Sequence, residues 1–266
     1  MTHIPRRSFI RTVATGAAAT MLAPAARAAG LPMPNRSRPN IVYILADDMG
    51  YGDLAINHPA NKVPTPNLDR LASQGMRFTD AHSPSAVCTP TRYGILTGRY
   101  CWRSRLAAGV LWVGNAPLID EDRLTVADLL KDHGYRTGCV GKWHLGWNWP
   151  TVDGEPSTKD NLDIDWSKPI TGGPLAHGFD YYFGDDVPNF PPYVFIENER
   201  AVGTPDRDKP KDMYGHPGPM VKGWKLERVL PEITRRACRF IEESADSDQP
   251  FFLYFPLTAP HTPIAP

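Results

Sequence analysis

Asn40-Ile41-Val42-Tyr43-Ile44-Leu45-Ala46-Asp47-Asp48 is a continuous apolar, β-branched run that follows Pro39 and ends in two acids. A run apolar at both alternating sets of positions reads as a buried parallel strand. Downstream, Thr65-Pro66 opens a helix through Leu68, Leu71 and Ala72, with Thr65 as N-cap, Pro66 at the first helical position and Gly75 as the stop. Met76 to Ala81 is a second strand candidate. Thr125 caps a further helix through Val126, Leu129 and Leu130 that stops at Gly134, and Tyr135 to Val140 reads as the next strand. Ile233, Ala237, Phe240 and Ile241, spaced i, i+4, i+7, i+8, share one helical face ahead of the strand Phe251-Phe252-Leu253-Tyr254-Phe255. Strand and helix in alternation argue an α/β fold whose mostly parallel sheet is flanked by helices. Residues 145–225, rich in Pro, Gly, Trp and Asp, are expected to form long loops that shape a cleft.

The 266 residues carry 41% hydrophobic side chains, enough for a core, and no repeating period in their 22 Gly and 28 Pro. Lys+Arg and Asp+Glu balance at 29 each, which removes the basic footprint of a nucleic-acid binder. The balance is uneven along the chain: residues 1–28 hold Arg6, Arg7, Arg11 and Arg27 and no acid. Arg6-Arg7-Ser8-Phe9-Ile10-Arg11, an Ala-rich apolar run from Val13 to Ala26, and the small-x-small triplet Ala26-Arg27-Ala28 read as a twin-arginine export signal cleaved after Ala28. The apolar run is shorter than the ~20 residues of a bilayer span, so no stable membrane insertion is expected. Residues 29–38 then form a linker, and 39–266 a partial catalytic domain acting in the periplasm or outside the cell. Cys88, Cys101, Cys139 and Cys238 show no C-x-x-C spacing, so neither a zinc ribbon nor a thioredoxin-like motif is present. The segment Pro260-His261-Thr262-Pro263-Ile264-Ala265-Pro266 follows a strand with no closing helix, which reads as a domain cut short. An unpaired sheet edge and aggregation of the isolated chain are expected from such a cut.

In open α/β sheets, ligands bind beyond the carboxyl ends of the strands. Asp47 and Asp48 follow the first strand, Cys88 and Arg92 the second and a short loop, Lys142 and His144 the third, and His261 the last. Each has a plainer reading. The two acids ahead of Met49-Gly50 equally well cap a turn, a lone Cys is most often a small buried residue, Lys142 beside Trp143 can snorkel, and the histidines can be loop residues. Their joint placement favours hydrolysis of an anionic ester at a hard metal ion.

Cys88-Thr89-Pro90-Thr91-Arg92 matches Cys-x-Pro-x-Arg, and its surroundings from Ser83 to Arg99 resemble the signature of type I sulfatases, whose cysteine is oxidised to formylglycine. Gly138 to Gly146 resembles the family's second signature. Asn40 to Asp48, Thr65-Pro66-Asn67-Leu68-Asp69, His177-Gly178-Phe179-Asp180 and Ala259-Pro260-His261 match in order, so the resemblance covers nearly all of residues 39–266. It implies an arylsulfatase-type enzyme with the alkaline phosphatase-like fold. Thr91 stands where the family most often has Ser, and the later Asp-Asn (or Asp-Gln) pair and Lys that complete the family's metal and sulfate site find no counterpart here.

The resemblance implies a role for each residue. Residue 88 becomes formylglycine, which makes Cys88 unavailable for a disulfide and requires a formylglycine-generating maturation enzyme beside the export machinery. One hydroxyl of its hydrate attacks the sulfur of an aryl sulfate or sulfated carbohydrate, and His144 takes the proton of the other to eject sulfate. Asp47, Asp48 and residue 88 ligate a divalent cation, Ca2+ or as second choice Mg2+. Arg92 holds the hydrate or a metal ligand, Lys142 contacts sulfate oxygens and His261 protonates the leaving group. Pro90 at the first helical position would place residue 88 at a helix N-terminus, where anions are favoured. Two other readings are a phosphonate or phosphate monoester hydrolase of the same superfamily and a non-catalytic fragment that binds sulfated glycans.

Overall fold

The computed structural model describes residues 38–263; the export signal expected over residues 1–28 and the linker expected up to residue 37 lie outside the described residues. The chain divides after Pro39, and the unit that begins at Asn40 carries all the strands and helices described.

Strand β1 (Ile41–Asp47) is followed by helices α1 (Pro66–Gln74), α2 (Cys88–Thr97) and α3 (Val126–Asp132), then β2 (Arg136–Val140) and β3 (Tyr181–Gly184). Two-residue strands β4 (Ile196–Glu197), β5 (Arg200–Ala201), β6 (Arg207–Asp208) and β7 (Pro219–Met220) precede the long helix α4 (Val229–Ala245) and β8 (Phe251–Pro260). The main sheet runs β1-β8-β2-β3-β4-β5; β1, β8, β2 and β3 are parallel, and β4 and β5 return antiparallel. The expected α/β class with a mostly parallel sheet is what the chain forms.

The period of two along each strand sorts side chains between the sheet faces. Cys139, Tyr182, Phe252 and Tyr254 join Tyr93, Leu96 and Ala127 of α2 and α3 on one side. Val140, Phe183, Phe251, Leu253 and Phe255 meet Ile233, Ala237 and Phe240 of α4 on the other. This explains why Phe251–Phe255 is apolar throughout, as a strand covered on both faces must be. Helix α3 starts with a capping box: Thr125 Oγ1 accepts from Asp128 N while the Asp128 carboxylate accepts from Thr125 N, and Thr125 Oγ1 also donates to His177 O at 2.9 Å.

Two expectations fail. β1 is parallel, but it forms a sheet edge with Val42, Tyr43 and Ile44 exposed, because β8 is its only partner among the described residues. Met76 to Ala81 is not a strand; its apolar residues Met76 and Phe78 are exposed, and no described strand lies beside it to complete a ladder. The segment 145–225 is mainly irregular, as expected, yet it contains β3. Trp147, Trp149 and Tyr182 from this segment lie in the core.

Candidate active site

Sheet order brings the strand ends together. β8 lies between β1 and β2, so Asp47 at the end of β1, Lys142 just past β2 and His261 just past β8 emerge side by side. Asp47 is buried, and its Oδ2 accepts from Lys142 Nζ at 2.7 Å and Arg92 Nη2 at 3.1 Å. Arg92 reaches it from the second turn of α2 and also donates to Lys142 O at 2.6 Å, which ties helix, β1 and β2 into one charged knot. Burial pushes the Asp47 carboxyl up, but the charges of Lys142 and then Arg92, with the hydrogen bonds, outweigh it and hold the group down at about 2.

Cys88 is the first residue of α2, with Val87 as N-cap; Pro90 is the third helical residue, not the first. The helix thus begins two residues earlier than expected and takes in residue 88 as its first residue, where backbone N–H groups lack intrahelical partners. Cys88 shares a cavity of about 250 Å³ with Asp47, Asp48, Ser83, Ser85 and Arg92. All four cysteines are free thiols: Cys101 and Cys139 are buried, Cys88 is half-buried and Cys238 exposed.

His144 has a positive φ of 55°, a conformation that disfavours non-glycine residues, and it is held there by several bonds. Its N–H donates to Asp186 Oδ1 at 3.1 Å, its carbonyl accepts from Thr89 Oγ1 at 3.1 Å, and its ring Nε2 lies 2.9 Å from Leu111 O. A carbonyl only accepts, so Nε2 carries the proton and Nδ1 keeps a lone pair. Nδ1 is buried and has no partner. Burial first, then the charge of Lys142, pulls the imidazole well below 6.5, which keeps it neutral. The ring is therefore in the form a proton acceptor needs.

His261 is placed differently. Its Nε2 lies 3.7 Å from Asp48 Oδ2, both side chains are partly exposed, and it lines a second cavity with Lys142, Pro188 and Asn189. The structure thus gathers Asp47, Arg92 and Lys142 in direct contact, adds Asp48 and Cys88 along one cavity wall, and leaves His261 in the second cavity, 3.7 Å from Asp48.

Asp185 and Asp186, directly after β3, were missed by the sequence reading. Asp185 is buried and Asp186 half-buried; burial pushes Asp185 up to about 7 and Asp186 up to about 6. Asp186 holds His144 N and Trp147 Nε1, whereas neither carboxyl oxygen of Asp185 has a partner. The rule that singled out acids after strands would have found them had Tyr181–Gly184 been recognised as a strand.

Two hard carboxylates beside residue 88 are the right donors for Ca2+ or Mg2+. Asp48 is raised by burial and then by its hydrogen bond to Asp47 and that group's charge, the strain between like neighbours that a cation relieves. The donors fit in kind but fall short in number, since Ca2+ takes six to eight oxygens. Among the described residues no three His, Cys, Asp or Glu side chains converge as a metal site.

A family model described as Sulfatase matches residues 39–266. The chain belongs to the sulfatase family. It is 36% identical over 274 residues to an N-acetylgalactosamine-6-O-sulfatase of Bacteroides thetaiotaomicron, covering 87% of this chain and 50% of that protein. Arylsulfatase G of Rattus norvegicus is 35% identical over 246 residues, covering 86% and 42%. A solved sulfatase from work on glycosaminoglycan metabolism by Bacteroides thetaiotaomicron superposes with a TM-score of 0.71 at 35% identity, over 86% of this chain and 53% of that one. The sheet and helices described above are therefore those of the sulfatase fold. This family member spans about half the length of the curated relatives it matches. Family membership implies a formylglycine and a divalent metal.

Proposed function

We propose that the protein hydrolyses sulfate esters, on a sulfated carbohydrate or an aryl sulfate, with residue 88 matured to formylglycine. The observation that supports this most is Cys88 at the first turn of α2, in one cavity with Asp47, Asp48 and Arg92. When present, the formylglycine hydrate supplies the nucleophilic oxygen and the divalent cation, Ca2+ or Mg2+, polarises the ester. Asp47, Asp48 and residue 88 would hold that cation.

The chain's own side chains then have separable tasks. Arg92 and Lys142 outweigh the charge of Asp47 and keep the buried site from turning negative, so that the anionic sulfate ester is not repelled. Lys142 also contacts the ester's oxygens. His144, neutral and with Nδ1 free, accepts the proton whose removal releases sulfate. His261, at the more open side, donates to the leaving oxygen.

The name of the 36% identical relative makes N-acetylgalactosamine 6-sulfate the first carbohydrate to assay. Among the described residues no helix is long and apolar enough to cross a membrane. A location in the periplasm or outside the cell, export by the twin-arginine machinery and contact with a formylglycine-generating enzyme complete the reading; they rest on the sequence of residues 1–28 and on the Cys88 motif.

The test is the mass of the tryptic peptide Phe78–Arg92 from protein made in its native host, joined to rates on p-nitrophenyl sulfate and p-nitrophenyl phosphate. An aldehyde at residue 88 and faster sulfate turnover are expected. An unmodified thiol throughout, or phosphate turned over faster, overturns the proposal.

A further inference from the structure

Trp112 is more than half exposed (55%), yet both its backbone and its ring have partners. Its N–H donates to Asn115 Oδ1 at 2.8 Å and its carbonyl accepts from Asn115 N at 3.1 Å, closing a turn. One face of the indole stacks on Phe190, with ring centroids 5.4 Å apart and planes 10° from parallel. His216 stands edge-on to both rings, at 5.9 Å from Trp112 and 4.9 Å from Phe190, and its N–H donates to Asn189 O at 3.0 Å.

This aromatic cluster is built onto the candidate active site by two routes. The ring of Phe190 packs edge-to-face on His144 at 6.0 Å. Leu111, one residue before Trp112, accepts the His144 Nε2 proton and donates its own N–H to Thr89 Oγ1 at 3.2 Å, one residue after Cys88. Pro188 and Asn189, which precede Phe190, line the cavity that holds Lys142 and His261. Trp112 thus stacks on a residue that packs against His144 and follows one that hydrogen-bonds it, which puts the exposed indole beside the candidate active site.

We infer that Trp112, backed by Phe190 and flanked by His216, is the stacking platform for the pyranose ring that carries the sulfate ester. The inference rests on the proposed sulfatase activity and names the substrate class at that same site. The open face of Trp112 is a one-sided aromatic wall: among the described residues its ring contacts are Phe190 beneath and His216 at the edge. A pyranose matches this, since its axial C–H groups form an apolar face and its hydroxyls a polar rim. An aryl ring, apolar on both faces, would be better served by a slot between two walls. The imidazole of His216, at the edge of the indole, is a polar group beside which rim hydroxyls would lie.

The experiment compares Trp112→Ala, Trp112→Phe and the control Trp102→Ala, which removes the exposed indole stacked on Tyr100. Substrates are N-acetylgalactosamine 6-sulfate, p-nitrophenyl sulfate and ethyl sulfate, which has no ring. For Trp112→Ala the ratio of kcat/KM on the sugar to that on ethyl sulfate should fall at least tenfold, carried mainly by KM, with Trp112→Phe recovering most of it. Trp102→Ala should leave the ratio unchanged. A second arm measures quenching of tryptophan fluorescence by N-acetylgalactosamine 6-sulfate, which reads binding whether or not the ester is cleaved. Quenching that disappears in Trp112→Ala without any turnover supports the platform while overturning the hydrolase reading. An unchanged ratio together with unchanged quenching overturns the platform, and an equal loss on p-nitrophenyl sulfate overturns the pyranose as its occupant.

Discussion

Replacing Asp47 with Asn should harm stability more than replacing Lys142 with Met, although both break the same 2.7 Å ion pair. Asp47→Asn leaves two buried cations, Lys142 and Arg92, facing a neutral amide. Lys142→Met leaves a balanced pair, because Arg92 remains 3.1 Å from Asp47. Removing the shared partner of a buried cluster costs about 3–5 kcal/mol. Removing one of two cations forfeits a charged hydrogen bond, about 1.5–3 kcal/mol. The double variant should cost less than the two losses added, by at least ~1 kcal/mol, because the second substitution removes a charge the first left unpaired.

The same carboxylate gives a pH signature with a fixed sign. A carboxyl lowered from 3.8 to about 2 contributes about 2.5 kcal/mol that is fully present above pH ~4 and lost as pH falls through 2. Urea titrations in chelator between pH 2 and pH 7 read both effects, and the difference between wild type and Asp47→Asn isolates this group from other acids. The reasoning fails if Asp47→Asn costs no more than Lys142→Met, or if that difference does not shrink below pH 4.

His144→Ala should lower sulfate ester turnover by about 10²- to 10⁴-fold, the usual worth of a positioned base, with near-native circular dichroism. Because the folded imidazole is held well below 6.5, the protein should lose stability as pH falls below ~6.5, where only the unfolded chain takes up the proton; NMR of the ring should show it still neutral at pH 6. Gly184→Ala should abolish soluble expression, since a Cβ there would collide with the Gly141 carbonyl and with Tyr182 Oη in the packed sheet. Thr125→Ala should cost about 1–2 kcal/mol in urea melts through loss of the α3 capping box and the bond to His177 O. Ile44→Lys, placing a charge on the exposed edge strand, should raise the monomer fraction in sedimentation; no change would remove β1 as the site of self-association.

What the sequence disclosed follows from the range of the forces involved. Thr65 before Pro66, Thr125 three residues ahead of Asp128, and the apolar spacing of α4 are local signals, and the helices start and stop where those residues say. The strand assignments succeed where both faces are covered, as in β8, and go astray where burial depends on a distant partner. Ile41 to Ala46 is apolar enough for a central strand but lies at an edge. Met76 to Ala81 has strand-like composition and no ladder to join. β3 was hidden because only four residues, Tyr181–Gly184, separate a turn from irregular chain, and with it went Asp185 and Asp186.

The site shows the same division. Asp47, Lys142 and His261 could be read from their places after strands, whereas Cys88 and Arg92 follow no strand and were legible only through Cys-x-Pro-x-Arg; the contacts within the set could be read from neither. Sheet order is long-range information: nothing local says that β8, more than 200 residues after β1, comes to lie between β1 and β2. That insertion places the ends of three strands side by side and lets one carboxylate, Asp47, face a lysine 95 positions away and an arginine 45 positions away. Lys142 and Arg92 are thus ion-pair partners of the metal-ligand candidate before they are anything else. An anionic ester that draws Lys142 away must leave Asp47 to Arg92 and the incoming cation. Binding of the cation and of the ester should consequently be coupled: in isothermal titrations, substrate affinity should rise when the divalent ion is present, and Lys142→Met should weaken that dependence. Substrate affinity unaffected by a bound cation would mean that Lys142 stays on Asp47 throughout, with a structural role alone.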